Sequence, residues 1–388
     1  MKWENKGHEY DQAYQEMKKK KGFYLFGAGD YGRQFLGIME QEIPIIGYID
    51  NDKAKQGQIV NGKPCRPLEG TILGEDEGII VTMSQIARVK PVKQLKRGGY
   101  KKDIDFFMIE EFLSVYYVYQ KGMVYFSSIS FLPSTACNLN CRYCLNFNPF
   151  AKKFYVRKWE DLVRDVDLFF ACVDRIMLFH VSGGEPFLYK HTGDLIEYIH
   201  RRYGNRIGTL RMVTNGTIVP SHDVLEKLST CNVEITVDDY RKAVPQYAEE
   251  FSRLIEKLKA YKIRHYVNQV DSWIDLAPER TDYSAMGQEW LIQHRAGCNQ
   301  SWQELRDGKL YNCNYAAYAA VAGVAGGQDA EEVYCLKGFT PEKKKELVEF
   351  RLGYTAKGYT NFCKKCRGFT AENSEEVEPA GQVKDDGA

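Results

Sequence analysis

Short apolar runs alternate with amphipathic stretches twice along this chain, and that rhythm constrains the fold more than any other feature. Runs at 22–26, 44–49, 78–82 and 104–109 are separated by stretches of helical periodicity, the pattern of a small parallel sheet. A second series lies at 128–132, 176–181, 209–214, 233–237 and 264–270, with amphipathic stretches at 159–170, 194–203, 222–228 and 247–261. Strand–helix units of this spacing predict an α/β barrel, open or closed. Residues 115–126 read as a link or an edge segment. Residues beyond 290 lose the rhythm and carry cysteines, and 371–388 are acidic, free of aromatics and expected to lack structure. The expected organisation is a Rossmann-like domain over 1–114, a barrel over 115–290, a cysteine-rich domain over 291–370 and a tail over 371–388.

Lys and Arg number 53 against 52 Asp and Glu, a net charge of +1, which argues against a nucleic-acid partner held by bulk electrostatics. No apolar run is long enough to span a bilayer, and the N-terminal residues do not form a signal peptide. The expectation is a cytoplasmic protein with neither a membrane nor a nucleic-acid partner. Its 11 cysteines, an odd count in a large chain, fit metal or redox chemistry better than a disulfide framework.

Three of them form Cys137-Asn-Leu-Asn-Cys141-Arg-Tyr-Cys144, directly after an expected strand, where α/β folds carry their active sites. Three thiolates this close suit a soft metal site. A [4Fe–4S] cluster held by three cysteines keeps one iron open, whereas structural zinc would need a fourth ligand that this loop lacks. The spacing, with Tyr143 before the last cysteine, resembles the radical S-adenosylmethionine (SAM) superfamily. His180-Val-Ser-Gly183-Gly184-Glu185-Pro186 ends the second expected strand, Thr214-Asn215-Gly216 follows the third, and Val233-Glu-Ile-Thr-Val-Asp238 covers the fourth, in the order of that family. The resemblance implies a partial (β/α)6 barrel in which Cys137, Cys141 and Cys144 bind the cluster. It implies that the Gly183-Gly184-Glu185 turn receives the SAM amino group, and it makes Thr236 and Asp238 candidates for the SAM ribose or the substrate. Asn268 and Gln269 end the fifth strand and are weaker candidates. His180 reads as a core histidine within reach of SAM.

Cys298, Cys313, Cys363 and Cys366 form a second set, with a Gly308-to-Cys313 hairpin spacing and a Cys-x2-Cys pair. Four thiolates could hold zinc or a [4Fe–4S] cluster. Their arrangement resembles the short, twitch/SPASM-like extension of radical SAM enzymes, which implies one auxiliary [4Fe–4S] cluster. Cys335 lies between them and is a candidate hydrogen-atom donor. Cys65, Cys172 and Cys231 read as buried small hydrophobes.

Near the N-terminus, Gly27-x-Gly29-x-x-Gly32 follows a strand and opens a helix, with Asp50 ending the next strand. That context suits a phosphate at the helix N-terminus and ribose hydroxyls on Asp50. The surrounding residues, with Ile46-Gly-Tyr-Ile-Asp-Asn-Asp52 and Asn61-Gly-Lys-Pro64, resemble the N-terminal nucleotide-sugar-binding domain of bacterial sugar acyltransferases, although no hexapeptide repeats follow. A nicotinamide dinucleotide is the other possibility.

Together these readings imply a two-cluster radical SAM oxidoreductase. It would use SAM to abstract hydrogen from a carbohydrate or nucleotide-sugar, giving alcohol oxidation or epimerisation, with flavodoxin or ferredoxin as the type of reductase partner. The short extension resembles that of 2-deoxy-scyllo-inosamine dehydrogenase, which oxidises a secondary alcohol. A peptide-modifying maturase is the alternative, and a zinc-stabilised, nucleotide-responsive binding protein is a remote one.

Overall fold

β1 (Gly22–Phe26) is buried at all five positions, as expected of a parallel strand covered on both faces. It is preceded by α1 (Asp11–Lys19) and followed by α2 (Asp30–Met39), β2 (Ile45–Ile49), β3 (Ile59–Val60), β4 (Lys63–Arg66), β5 (Glu77–Val81), α3 (Val89–Arg97), β6 (Phe106–Met108) and α4 (Ile109–Lys121). The sheet order is β3-β4-β2-β1-β5-β6, parallel apart from the β3–β4 pair. Chain direction across the sheet reverses between β1 and β5, which puts a topological switch point beside the glycine loop. This computed structural model describes residues 1–84, 87–299, 302–327, 329–370, 373 and 375–383.

The expected link at 115–126 is instead the last turns of α4 and the start of the next strand. Val115 and Val118 of α4 are buried, and Gly122 ends the helix in the left-handed conformation, φ 63°. The compact units accordingly divide at 123/124: Asn5–Met123 form one, and Met1–Glu4 with Val124–Ala388 form the other.

The larger unit begins with β7 (Tyr125–Phe131), α5 (Trp159–Cys172), β8 (Arg175–Val181), α6 (Thr192–Tyr203), β9 (Ile207–Thr214), α7 (His222–Ser229), β10 (Val233–Asp239), α8 (Ala248–Ala260) and β11 (Arg264–Gln269). β7 to β11 lie side by side in parallel. α5 buries Leu162, Val166, Phe169 and Phe170, a helical stripe facing the sheet. Phe126, Phe131, Phe169 and Phe179 meet edge-to-face with centroids 5.6–5.9 Å apart. Each such side chain contributes about 1.5–3 kcal/mol by leaving water.

After β11 the chain makes β12 (Trp273–Ile274), α9 (Gln288–Gly297), β13 (Glu304–Arg306), β14 (Lys309–Tyr311), α10 (Asn314–Ala322), β15 (Val333–Cys335), α11 (Lys344–Arg351) and β16 (Glu376–Val377). β13, β14 and β15 extend the sheet on the β7 side, while β12 leaves it to pair antiparallel with β16. β11 is thus an open edge, with Tyr266 and Val267 exposed. In the same sheet β13 runs parallel to β7 on the far side from β8, so among the described residues six strands of this sheet, β7 to β11 and β13, are parallel.

Residues 375–383, expected to lack structure, are instead folded: β16 pairs with β12, and Ala380 is fully buried. Their acidic composition hides a few well-placed contacts. Positions 371, 372, 374 and 384–388 of that stretch lie outside the described residues.

Candidate active site

The cysteine loop leaves the C-terminal end of β7, at the end of the sheet where parallel α/β folds assemble their sites. Its root is tied down by Glu304, whose Oε1 accepts the Leu132 N–H at 3.0 Å. Within the loop, Cys144 N–H donates to the Cys141 carbonyl at 3.1 Å and Leu139 N–H to Cys137 Sγ at 3.4 Å. Cys137, Cys141 and Cys144 share one apolar group with Leu139, Val244, Tyr240 and Trp273.

Burial pushes the Cys137 thiol up to about 12 and Cys141 up to about 11, and it raises Cys144 as well. The thiols add to this by opposing one another's charge, as Glu185 opposes that of Cys137. Three thiolates grouped in such surroundings need a positive partner, so the donor set fits a soft, multiply charged metal centre. Among the described residues no three His, Cys, Asp or Glu side chains are arranged to hold a single ion.

The Gly183-Gly184-Glu185 turn continues the strand pairing beyond β8. Gly184 N–H donates to Ser134 O at 2.9 Å and Glu185 N–H to Ala136 O at 2.8 Å. A Cβ on Gly184 would fall 2.3 Å from Ala136 O, so only glycine lets this turn lie against the cysteine loop. The Gly183 carbonyl accepts from the Asn146 side chain.

Glu185 is 1 % exposed, and its carboxylate accepts from Phe187 N–H, Asn215 N–H and the Thr214 hydroxyl at 2.9–3.0 Å. Burial pushes it up to about 7 against those three donors. It braces the turns after β8 and β9. Asn215 in turn reaches the loop, with its Nδ2 3.2 Å from Asn138 Oδ1 and 3.6 Å from Cys137 Sγ.

On β10, Thr236 is 3 % exposed and its Oγ1 has no partner among the described residues. Asp238 accepts from Asn268 Nδ2 at 2.7 Å and from the Tyr240 hydroxyl at 2.9 Å, and burial raises its pKa. The Tyr240 ring belongs to the apolar group of the three cysteines. Arg241 clamps Asp239 with two hydrogen bonds of 2.7 and 2.8 Å, lies over Phe251, and thus turns toward α8. Gln269 joins the same clamp at 3.2 Å from Asp239. Tyr143 is half-buried in the loop. The His180 ring stands edge-on to Trp302, and burial lowers its pKa to about 4.

The second thiol set is built by helix ends and turns. Cys298 caps the C-terminus of α9 and Cys313 precedes α10. Asp307 and Gly308 both have positive φ, 55° and 71°, making the tight hairpin that leads to Cys313. N–H groups of Phe369 and Gly368 point at Cys298 and Cys366 Sγ at 3.3 Å, and Thr360 Oγ1 lies 3.3 Å from Cys363 Sγ. Burial pushes Cys313 up to about 11, with Cys298 and Cys363 adding to the effect, and Cys366 feels all three of the others. Arg295 is buried here and binds Asn312 O and Oδ1. Cys335 is exposed on β15, opposite Lys309, beside a cleft of about 440 Å³ lined also by Tyr155, Arg306 and Tyr311. It joins neither thiol group.

In the smaller unit the three glycines divide their work. Gly27 takes φ +119° beside Thr82 O, Gly32 packs against the Gly27 carbonyl, and Gly29 faces open space. The Asp50 carboxylate already accepts the N–H groups of Ala28 and Asp52, at 2.8 and 2.9 Å, and meets Lys55 at 3.3 Å. Burial opposes its charge, but these donors hold it below the usual carboxylate range.

Residues 131–271 match the sequence profile of the radical SAM superfamily. This stretch is a radical SAM domain. It spans the cysteine loop, the Gly183-Gly184-Glu185 turn, Asn215 and Asp238. None of the curated proteins matches the chain. Among solved structures, "Native anSMEcpe with bound AdoMet" is similar at 16% identity and TM-score 0.39, over 57% of this chain and 82% of that one. "Crystal structure of BtrN in complex with AdoMet and 2-DOIA" is similar at 15% and 0.37, over 65% and 98%. SuiB of Streptococcus suis, bound to S-adenosylmethionine, is similar at 13% and 0.31, over 47% and 40%.

Sequence reasoning missed that Glu304, Asn215 and Gln382 hold the radical SAM loop, from 172, 78 and 241 positions away. Asn215 alone carried a signal, its place in the Thr-Asn-Gly turn.

Proposed function

We propose that this chain is a radical SAM oxidoreductase acting on a carbohydrate or nucleotide-sugar, and that it oxidises an alcohol or inverts a carbon centre. The observation that carries the reading is the group of three thiols, Cys141 buried and Cys137 and Cys144 half-buried, on the loop after β7 of the radical SAM domain. A [4Fe–4S] cluster on Cys137, Cys141 and Cys144, with SAM bound, would supply a 5′-deoxyadenosyl radical that takes hydrogen from an unactivated carbon. The protein's contribution is to position and to exclude water. Glu185 fixes the turns that border the loop, and Thr236 offers a buried hydroxyl in need of a partner. Asp238, held by Asn268 and Tyr240, offers a carboxylate on the substrate side.

Cys298, Cys313, Cys363 and Cys366 are proposed to hold an auxiliary [4Fe–4S] cluster that would accept an electron. A carbohydrate substrate is favoured by the glycine loop of the smaller unit, where the open face of Gly29 leaves room for a phosphate at the start of α2. Asp50, engaged by its own loop, serves there as a brace. Because Cys335 lies outside both thiol groups, oxidation is preferred over an epimerisation that would need it to return a hydrogen atom.

The test uses anaerobically reconstituted protein with SAM and a reductant. Formation of 5′-deoxyadenosine that rises with one member of a panel of nucleotide-sugars and aminosugars is the expected result. Formation that no sugar affects would move the substrate to a peptide. No formation by iron-loaded protein would overturn the catalytic reading.

A further inference from the structure

The radical SAM loop is gripped by a segment far along the chain. β16 pairs with β12, Trp273 opposite Val377. Just before it, the Glu375 carbonyl accepts the Asp275 N–H at 3.1 Å, and its carboxylate meets Arg367 and Arg280. The chain then runs to the cysteine loop. Ala380, fully buried, packs in the apolar group of Cys137, Cys141 and Cys144. It does so with φ +55°, a left-handed conformation that costs an alanine about 1 kcal/mol and persists only where the surroundings hold it.

From there, the Gly381 carbonyl accepts the Arg142 N–H at 2.7 Å, and Val383 N–H donates to Asn140 O at 2.8 Å. Gln382 bridges Cys141 as an antiparallel partner. Its side chain uses both ends. Oε1 accepts the Asn140 N–H at 2.8 Å, while Nε2 lies 2.6 Å from Ala380 O and 3.5 Å from Cys141 Sγ.

We propose that Gln382 is a positioning residue for the metal centre at Cys137, Cys141 and Cys144, and that residues 375–383 are a strap that holds and shields this loop. The inference rests on the radical SAM reading of the loop. An N–H donated to a ligating sulfur withdraws negative charge, which favours the more negative, reduced state of a cluster and raises its reduction potential. The strap also covers Cys141, which is buried with Gln382 beside it. It would slow the entry of oxygen and water.

The test compares wild type, Gln382→Leu, Gln382→Asn and Ala380→Asp, all full-length and anaerobically reconstituted. The first readout is the midpoint potential of the electron paramagnetic resonance signal that changes on adding SAM, which separates this centre from the auxiliary one. The second is the rate of iron loss in air. The expected result is a lower potential in Gln382→Leu at wild-type iron content, partly restored in Gln382→Asn, with several-fold faster iron loss in Ala380→Asp. An unchanged potential in Gln382→Leu overturns the inference, whether or not Ala380→Asp folds. A wild-type protein whose signal ignores SAM overturns the reading of the loop, and the inference with it.

Discussion

Gly184 shows how little freedom single positions have in this site. Its missing Cβ leaves room for Ala136 O and Thr135 O, which would lie at 2.3 and 2.4 Å. Gly184→Ala should destabilise the fold by about 1–3 kcal/mol through this overpacking and weaken SAM binding, measured by thermal unfolding and by titration with SAM. Gly29→Ala, which meets open space, should leave the melting temperature unchanged. Thr236→Val separates a binding hydroxyl from a structural one. It removes an oxygen without a partner, so the apo melting temperature should hold or rise, while SAM affinity falls about tenfold if the ribose is that partner. At this scale the spacing of Cys137 to Cys144 and of Gly183 to Glu185 singled out residues that the fold brings together. The sequence was unreadable where a residue works through a distant partner. Nothing near Glu304 or Gln382 in the chain announces that one holds the root of the loop and the other its middle.

Elements were legible in proportion to how much of their stability is local. β7 to β11 and their helices lie where apolar periodicity predicts them. β13 to β15 have three residues each, and β13 meets β7 at a single register pair, so their pattern is too short to read. α4 was misread because its tyrosine-rich second half has the composition of a strand. What fixes β13 beside β7 is polar: buried Glu304 takes Leu132 N–H and the Tyr318 hydroxyl, which also meets Ser182 at 3.1 Å. Burial pushes the Glu304 carboxyl up to about 7, against the pull of Arg306 and Arg157. The folded chain therefore keeps a proton that the unfolded chain releases above about 4.5. This contribution to stability is complete below that pH and is lost as the pH rises through about 7. Glu304→Gln cannot ionise, so its melting temperature should gain on wild type between about pH 5 and about pH 8. A constant gap across that range would mean that Glu304 does not titrate there. Removing the buried Asp165, which pairs with Arg157 and accepts Gly308 N–H at 2.7 Å, should cost about 3–5 kcal/mol in chemical denaturation, because Arg157 would be left buried without its counter-ion.

For the molecule as a whole, two compact units with separate cores imply two ligand responses. SAM at about a hundred times its Kd should stabilise the radical SAM unit by about 2.7 kcal/mol, and a nucleotide-sugar bound at Gly27 to Gly32 should stabilise the other. Calorimetry with each ligand in turn should move one transition at a time, and a nucleotide-sugar that moves neither would remove the smaller unit from substrate recognition. The division at 123/124 was blurred in the sequence because α4 runs up to it without a flexible linker. The strap has a consequence for the order in which this protein is made. Cys141 and Gln382 are 241 positions apart. A ribosome that has released the three cysteines must therefore translate most of the remaining message before Gln382 exists, which at about 5–20 residues per second leaves the loop unclasped for some tens of seconds. Metal delivered during that interval meets an open door, and metal delivered after it must wait for the clasp to unfasten.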